Sequence, residues 1–248
     1  MSGVIRIERP EPGVGVVVME DRASRNTFSR AFVEGIRSVF AEIARDTSLR
    51  VIVVRGYENY FCCGGTKNEL LTLTEGHLQF TDGMFFDLLL ACHLPVISAM
   101  QGHALGGGLS FGAFGDMLVM AEESIYSANF MRYGFTPGMG ATYILPRKFG
   151  ELLGAEMLFS AGGYHGGELR ARGAGARIVT REKVVPTAMS LACELADKPR
   201  VSLIELKKQL AGPIRQALPL IVKQELAMHK VTFAQPEVRE RIETLFGN

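Results

Sequence analysis

Cysteine is scarce in this chain, with four in 248 residues. Cys62 and Cys63 are adjacent, Cys92 and Cys193 stand alone, and no C-x-x-C or H-x-x-x-H spacing occurs. So sparse a set excludes a disulfide scaffold and offers no zinc motif; no metal is expected. The cysteines are expected to pack as small, buried hydrophobes. An excess of charge is also missing. Lys and Arg number 27 against 26 Asp and Glu, a net of +1. With no basic block and no acidic tail, charge points to no nucleic-acid partner. No apolar run approaches the roughly 18 residues that span a bilayer. The longest, 84–94, contains Asp87 and His93. The opening MSGVIRIERPEP lacks the apolar stretch of a secretory signal. Repeats and low-complexity segments are absent too. The expectation is a soluble, cytoplasmic protein that engages neither membrane nor nucleic acid.

Hydrophobic residues make up 47% of the chain and charged residues 21%, which suits one large domain with a sizeable core. GVGVVVME (13–20) is a β-branched apolar run and reads as a strand. Phe28, Phe32, Ile36, Val39, Phe40 and Ile43 keep helical spacing, so a helix follows, with Thr27 as its expected N-cap. RVIVVRG (50–56) is a second buried strand. A polar, helical or looped segment is expected over 67–82, then a buried helix in GMFFDLLLACHL (83–94), stopped by Pro95. PVISAMQG, MLVMAE and SIYSANF read as further strands. A helix starts near Met139, and ELLGAEMLFSAGG continues helical. Strands alternating with helices favour an α/β core. From Lys198 the chain becomes charged and helical, with prolines as punctuation. The expected division is 1–197 as core and 198–248 as a C-terminal helical part.

Two glycine turns each follow a buried strand: Gly64-Gly65, and Gly106-Gly107-Gly108. Glycine permits close backbone approach. Three at a helix start cost roughly 1 kcal/mol each against alanine, which favours a special reason for them. If the strands are neighbours, the N–H groups of Gly65 and Gly107 could converge on one oxygen, with a helix N-terminus adding its dipole. The alternative is a pair of tight turns without chemistry. The pattern is neither G-x-G-x-x-G nor a P-loop.

MEDRASRNTFS, NYFCCGGTKNEL, PVISAMQGHALGGGLSFGAFGDMLVMAEES and YGFTPGMGATYILPRKFG resemble, in this order, motifs of the enoyl-CoA hydratase/isomerase (crotonase) superfamily. The resemblance implies a ββα spiral core, a C-terminal helical oligomerisation part, and trimers or hexamers. It implies that Gly65 and Gly107 are the thioester oxyanion donors. Hydratases of the superfamily also carry two glutamates that activate water. Ser110 and Phe130 stand at those two positions, and Thr66 stands where relatives have an aspartate. Serine and phenylalanine cannot supply the acid–base pair that hydration needs. An enolate-forming site without that pair suits loss of CO₂, which leaves charge on the thioester oxygen for the oxyanion donors to stabilise.

A narrower resemblance agrees. FCCGGT, SANF, MRYGFTPGMGAT, KPRVSLIELK and QELAMHKVTF are similar to the second hydratase homologue of polyketide β-branching cassettes. That subgroup implies a decarboxylase acting on a 3-methylglutaconyl-type thioester. It needs no cofactor of its own, because the substrate rides on the phosphopantetheine of an acyl carrier protein, or on CoA. Other enzymes of the cassette are implied partners. It also implies His229 as the acid that protonates the dienolate, and a cation near the first glycine turn for the carboxylate, for which Lys67 is the nearest candidate. Cys63 and Arg25 are expected beside the pantetheine arm, and Phe130 and Tyr133 in the acyl pocket. His103 is expected to be structural; His77, His93 and His165 are expected to be surface or packing residues. The rival readings are a hydratase or isomerase with atypical residues, and a non-catalytic scaffold that keeps the fold.

Overall fold

The structure, a computed structural model, describes residues 3–75 and 85–246. Residues 76–82 of the expected helical or looped segment, His77 among them, and the start of the expected 83–94 helix lie outside the described residues. The chain runs β1 (Ile5–Glu11), β2 (Val14–Met19), α1 (Arg30–Arg45), β3 (Val51–Arg55), β4 (Tyr60–Cys62), α2 (Lys67–Thr74), α3 (Leu88–Ala91), β5 (Val96–Met100), β6 (His103–Leu105) and α4 (Gly107–Ala113). It continues through β7 (Met117–Ala121), β8 (Ile125–Ser127), a 3₁₀ turn at Met131–Tyr133, α5 (Ala141–Phe149), α6 (Glu151–Ser160), β9 (Tyr164–His165), α7 (Gly166–Ala171) and β10 (Arg177–Val179). Helices α8 (Arg181–Ala196), α9 (Arg200–Thr232) and α10 (Pro236–Leu245) follow.

Two sheets form. The larger has the order β1-β2-β3-β5-β7-β10 and the smaller β4-β6-β8-β9. In the larger sheet only β1 pairs antiparallel, and in the smaller only β9 does. Strand alternation assigns the two faces of the larger sheet. Val14, Val16 and Val18 of β2 join Val184, Ala188 and Ala192 of α8 in one cluster. Val17 and Met19 point the other way into the main core, between the sheets and the remaining helices. Burial on both faces is why these strands read as continuous apolar runs.

The path of the chain between the sheets places the glycine turns. β3 and β5 are neighbours in the large sheet, and each hands the chain directly to a short strand of the small sheet, β4 and β6. β4 and β6 run parallel with Tyr60 opposite His103 and Cys62 opposite Ala104. Their C-terminal ends therefore lie side by side, and those ends are Cys63-Gly64-Gly65 and Gly106-Gly107.

Three local expectations change. The N-cap of α1 is Ser29, whose Oγ accepts the Phe32 N–H at 3.1 Å. Thr27 instead bridges to Gly64, and Phe28 N–H donates to Gly64 O at 2.8 Å, so this segment braces the glycine turn. The expected buried helix before Pro95 is helical only over Leu88–Ala91 among the described residues. Two of the four prolines of the C-terminal part punctuate as expected, Pro199 at the N-cap of α9 and Pro236 at the start of α10, but α9 runs 33 residues through Pro213 and Pro219. Tertiary packing carries it past them, because Leu203, Ala211, Leu218 and Glu225 are buried along one side. Of the cysteines, Cys62 and Cys92 are buried as expected, Cys63 is half-buried and Cys193 is exposed.

Candidate active site

The glycine turns open onto a cavity of about 550 Å³. Gly65, Gly107, Cys63, Arg25, Phe130 and Tyr133 all line it. The structure thus brings six of the eight sequence-selected residues together. The amides of Gly65 and Gly107 donate no hydrogen bond among the described residues. Gly107 opens α4, where the first N–H groups have no helical partner. Closeness of the two turns shows in what a side chain would meet. A Cβ on Gly64 would stand 3.1 Å from the Gly107 nitrogen and 2.7 Å from Leu105 O, and Gly64 has φ +77°. Only glycine fits there without moving one turn off the other.

Each turn is braced from outside. Asn26, fully buried, accepts Asp21 N–H through Oδ1 and donates through Nδ2 to Met19 O and Phe61 O. The Cys62 thiol donates to Asn26 O at 3.0 Å. Burial drives its pKa far up, so it is an inert packing group. Burial also pushes the Cys63 thiol up, to about 11, against the pull of Arg25. It is a neutral wall residue. Thr66 caps α2: its Oγ1 accepts Glu69 N–H at 3.2 Å, while the Glu69 carboxylate accepts Thr66 N–H at 3.1 Å. This capping box fixes the peptide that follows Gly65. Gly106 donates to Ser127 O at 2.7 Å and ties the second turn to β8.

The wall beyond the glycines is aromatic. Phe130, Phe135, Tyr133 and Phe246 form a continuous series, with Phe130–Phe135 centroids 6.2 Å apart and Tyr133–Phe246 5.7 Å apart. Tyr133 is held neutral by burial, although Arg132 draws its pKa the other way. The opposite side carries Arg25 over the Tyr60 ring at 5.8 Å, and His103. His103 Nδ1 accepts Ile125 N–H at 3.0 Å, which fixes its tautomer and gives it the structural part expected of it. Ser110, at one hydratase-glutamate position, is fully buried in α4. Among the described residues, no aspartate or glutamate lines the cavity.

Two selected residues are elsewhere. Lys67 Nζ donates to Glu243 O of α10 at 2.8 Å and is not on the wall. His229 is buried on α9, behind the wall. Its Nε2 lies 3.0 Å from Thr136 O and 3.1 Å from Pro137 O. Two carbonyls can only accept, so Nε2 carries the proton. Burial lowers the His229 pKa, so the ring is neutral near pH 7. It touches the cavity indirectly: His229 meets Phe233, and Phe233 stacks on the wall residue Phe135 at 4.6 Å. The wall residues Arg132, Asn129 and Met139 escaped the sequence reading. Arg132 and Asn129 lie within or beside the quoted motifs but carry no periodic signal of their own.

The family model for enoyl-CoA hydratase/isomerase matches residues 9–246. Bacillaene synthase decarboxylase PksI of Bacillus subtilis (strain 168) is 44% identical over 245 residues, covering 99% of this chain and 98% of that protein. The structure of a dehydratase/decarboxylase enzyme couple involved in polyketide β-branching superposes with a TM-score of 0.98 at 43% identity, covering 99% of this chain and 100% of that one. The ECH2 decarboxylase domain of CurF from Lyngbya majuscula superposes at 0.94 with 40% identity, covering 98% and 99%.

Proposed function

The chain belongs to the enoyl-CoA hydratase/isomerase family, and from that membership we propose that it decarboxylates a 3-methylglutaconyl-type thioester to a 3-methylcrotonyl-type thioester in polyketide β-branching. The thioester carbonyl sits between the Gly65 and Gly107 amides. The C–CO₂ bond breaks, its electron pair moves through the conjugated system, and the thioester oxygen takes the charge as a dienolate. Donors preorganised at that oxygen lower the barrier; losing one typically costs about 10²–10³ in rate. A proton delivered to carbon then completes the product. The observation that carries this reading is a pair of glycine turns, with Gly65 and Gly107 both on the wall of a cavity whose described lining holds no carboxylate. A hydratase needs a general base beside the reacting carbon. A decarboxylation through a dienolate does not.

The substrate rides on the phosphopantetheine of an acyl carrier protein, or on CoA, along the side lined by Cys63 and Arg25. Phe130 and Tyr133 enclose the acyl part. No further cofactor enters the scheme. His229 is the proposed acid: it takes up a second proton, against the burial that lowers its pKa, and as imidazolium gives that proton to carbon once released from Thr136 O and Pro137 O by the acyl chain seated against Phe135; catalytic hydrogen bonds commonly reach their working geometry only in the complex. Lys67 serves as carboxylate partner only by leaving Glu243 O. The protein works in the cytoplasm with the dehydrating enzyme of its cassette. It assembles as a homotrimer or hexamer through apolar side chains such as Leu152 and Phe159, which are 90% and 82% exposed in the single chain. No described helix is long and apolar enough to cross a membrane.

Incubating the protein with carrier-bound 3-methylglutaconyl thioester and weighing the acyl carrier protein by mass spectrometry tests the proposal. Loss of CO₂ is expected. An unchanged acyl mass, or a gain of water, overturns it.

A further inference from the structure

α9 presents three polar side chains, Glu225, His229 and Thr232, to one loop. They are spaced by four and three residues, so they share a face of the helix. Glu225 is 1% exposed. Its Oε2 accepts Gly140 N–H at 2.7 Å, and its Oε1 accepts Thr142 N–H at 3.0 Å and the Thr142 hydroxyl at 2.6 Å. His229 holds the Thr136 and Pro137 carbonyls. Thr232 Oγ1 accepts Thr136 N–H at 3.4 Å and lies 3.2 Å from Thr136 Oγ1.

The loop so held is the one that seats Met139 against the oxyanion site. Met139 has φ +60° and Gly140 φ +72°, a left-handed pair that is unusual for methionine. The pair turns Met139 onto Gly107, where a Cβ on the glycine would stand only 2.8 Å from Met139 Sδ. Immediately afterwards α5 begins, with Gly140 at its cap position and no side-chain cap from its own chain segment. The Glu225 carboxylate supplies that cap from another helix. It satisfies the Gly140 and Thr142 amides at the start of α5, and these bonds favour the carboxylate against the burial that raises its pKa.

We infer that Glu225 is a positioning residue of the decarboxylation site: by capping α5 from α9 it locks the Met139–Gly140 kink that seats the Met139 side chain against Gly107. It acts through the loop and touches no substrate. The inference rests on the oxyanion role of Gly107. It differs from the role given to His229, because Glu225 neither faces the cavity nor transfers a proton.

Glu225→Gln is the test. The amide oxygen can still accept from Thr142, but its NH₂ then confronts the Gly140 N–H, donor against donor. A misplacement of about 1 Å at a reacting centre can cost on the order of 10²-fold in rate. The expected result is a folded protein with kcat down 10- to 100-fold and KM within threefold. In a glycine-¹⁵N-labelled sample, the Gly107 and Gly140 amide resonances shift while those of Gly173 and Gly212 stay. A folded Glu225→Gln protein with kcat within twofold of wild type and an unshifted Gly107 resonance overturns the inference. If that variant does not fold, Thr142→Val removes only the hydroxyl donor, and a three- to tenfold fall in kcat with unchanged KM is expected; no fall overturns the inference. A wild-type protein that releases no CO₂ refutes the proposed reaction instead, and the glycine resonances still report on the clamp.

Discussion

Ser110 and Phe130 stand where the family resemblance places the two water-activating glutamates of hydratases, and their replacement is part of the proposal that this site loses CO₂. This much is legible in the sequence, because both positions are counted from glycine and proline landmarks. The role of His229 is less legible. A histidine in a helical segment carries no record of whether it faces a cavity or a loop. In the structure its Nε2–H is engaged by two carbonyls, so two roles overlap in one ring. Two variants separate them. Glutamine can donate to the same carbonyls but cannot titrate. If His229 supplies the proton, His229→Gln and His229→Ala both lose about 10²-fold or more in kcat, in line with general acid catalysis. If the ring only holds the loop, glutamine restores most of the activity that alanine removes. Steady-state kinetics on the two proteins decide the matter, and restoration by glutamine removes the acid assignment.

Among the elements, α9 departs furthest from what the sequence suggests. Pro213 and Pro219 read as breaks, yet the helix continues, because contacts distant in sequence hold it. One of them is ionic. Lys207, 3% exposed, lies with Nζ 2.6 Å and 2.7 Å from the two Asp116 oxygens and donates to Leu89 O at 3.2 Å. Asp116 also accepts Val96 N–H at 2.8 Å, so the pair joins α9 to the edges of β5 and β7. Arg215 adds bonds to the Leu90 and Cys92 carbonyls. Removing one partner of a buried pair typically costs 3–5 kcal/mol. Asp116 keeps a backbone partner and some access to water, so Lys207→Ala should lose about 3 kcal/mol, at the low end. Urea unfolding with an unchanged slope and a lower midpoint would show it. A loss under about 1 kcal/mol would mean that the pair is not what anchors α9. Such anchors are invisible in sequence because they join residues 91 to 125 positions apart.

On the scale of the molecule, the alternation of strands and helices, the helical C-terminal part and the convergence of two glycine turns were all readable. The reason is physical: strands buried on both faces are continuously apolar, and the turns between adjacent strand ends demand glycine. The smaller sheet was only partly readable. β4, β6 and β9 are two or three residues long and offer no period to detect. The outer surface carries its own message. Leu152 and Phe159 lie seven residues apart, hence on one face of α6. Val201 and Leu210 are exposed on α9, 71% and 64%. Large apolar groups left in water favour association. Light scattering should give a mass three or six times 27.1 kDa, and a Leu152→Glu, Phe159→Glu protein should dissociate while staying folded. A wild-type monomer at micromolar concentration would refute the assembly.

The cavity wall also sets an order in time. One side comes from residues 23–70 and another from 103–139, but Phe246 closes it, and α9 and α10 hold it from behind. Arg239 reaches back to Glu75, and Lys67 reaches forward to Glu243, so α2, which follows the first glycine turn, and the last helix are stitched to each other. During synthesis, then, the glycine turns can form while the pocket is still open on one side. A nascent chain would have its two glycine turns in place well before it has a closed cavity around them.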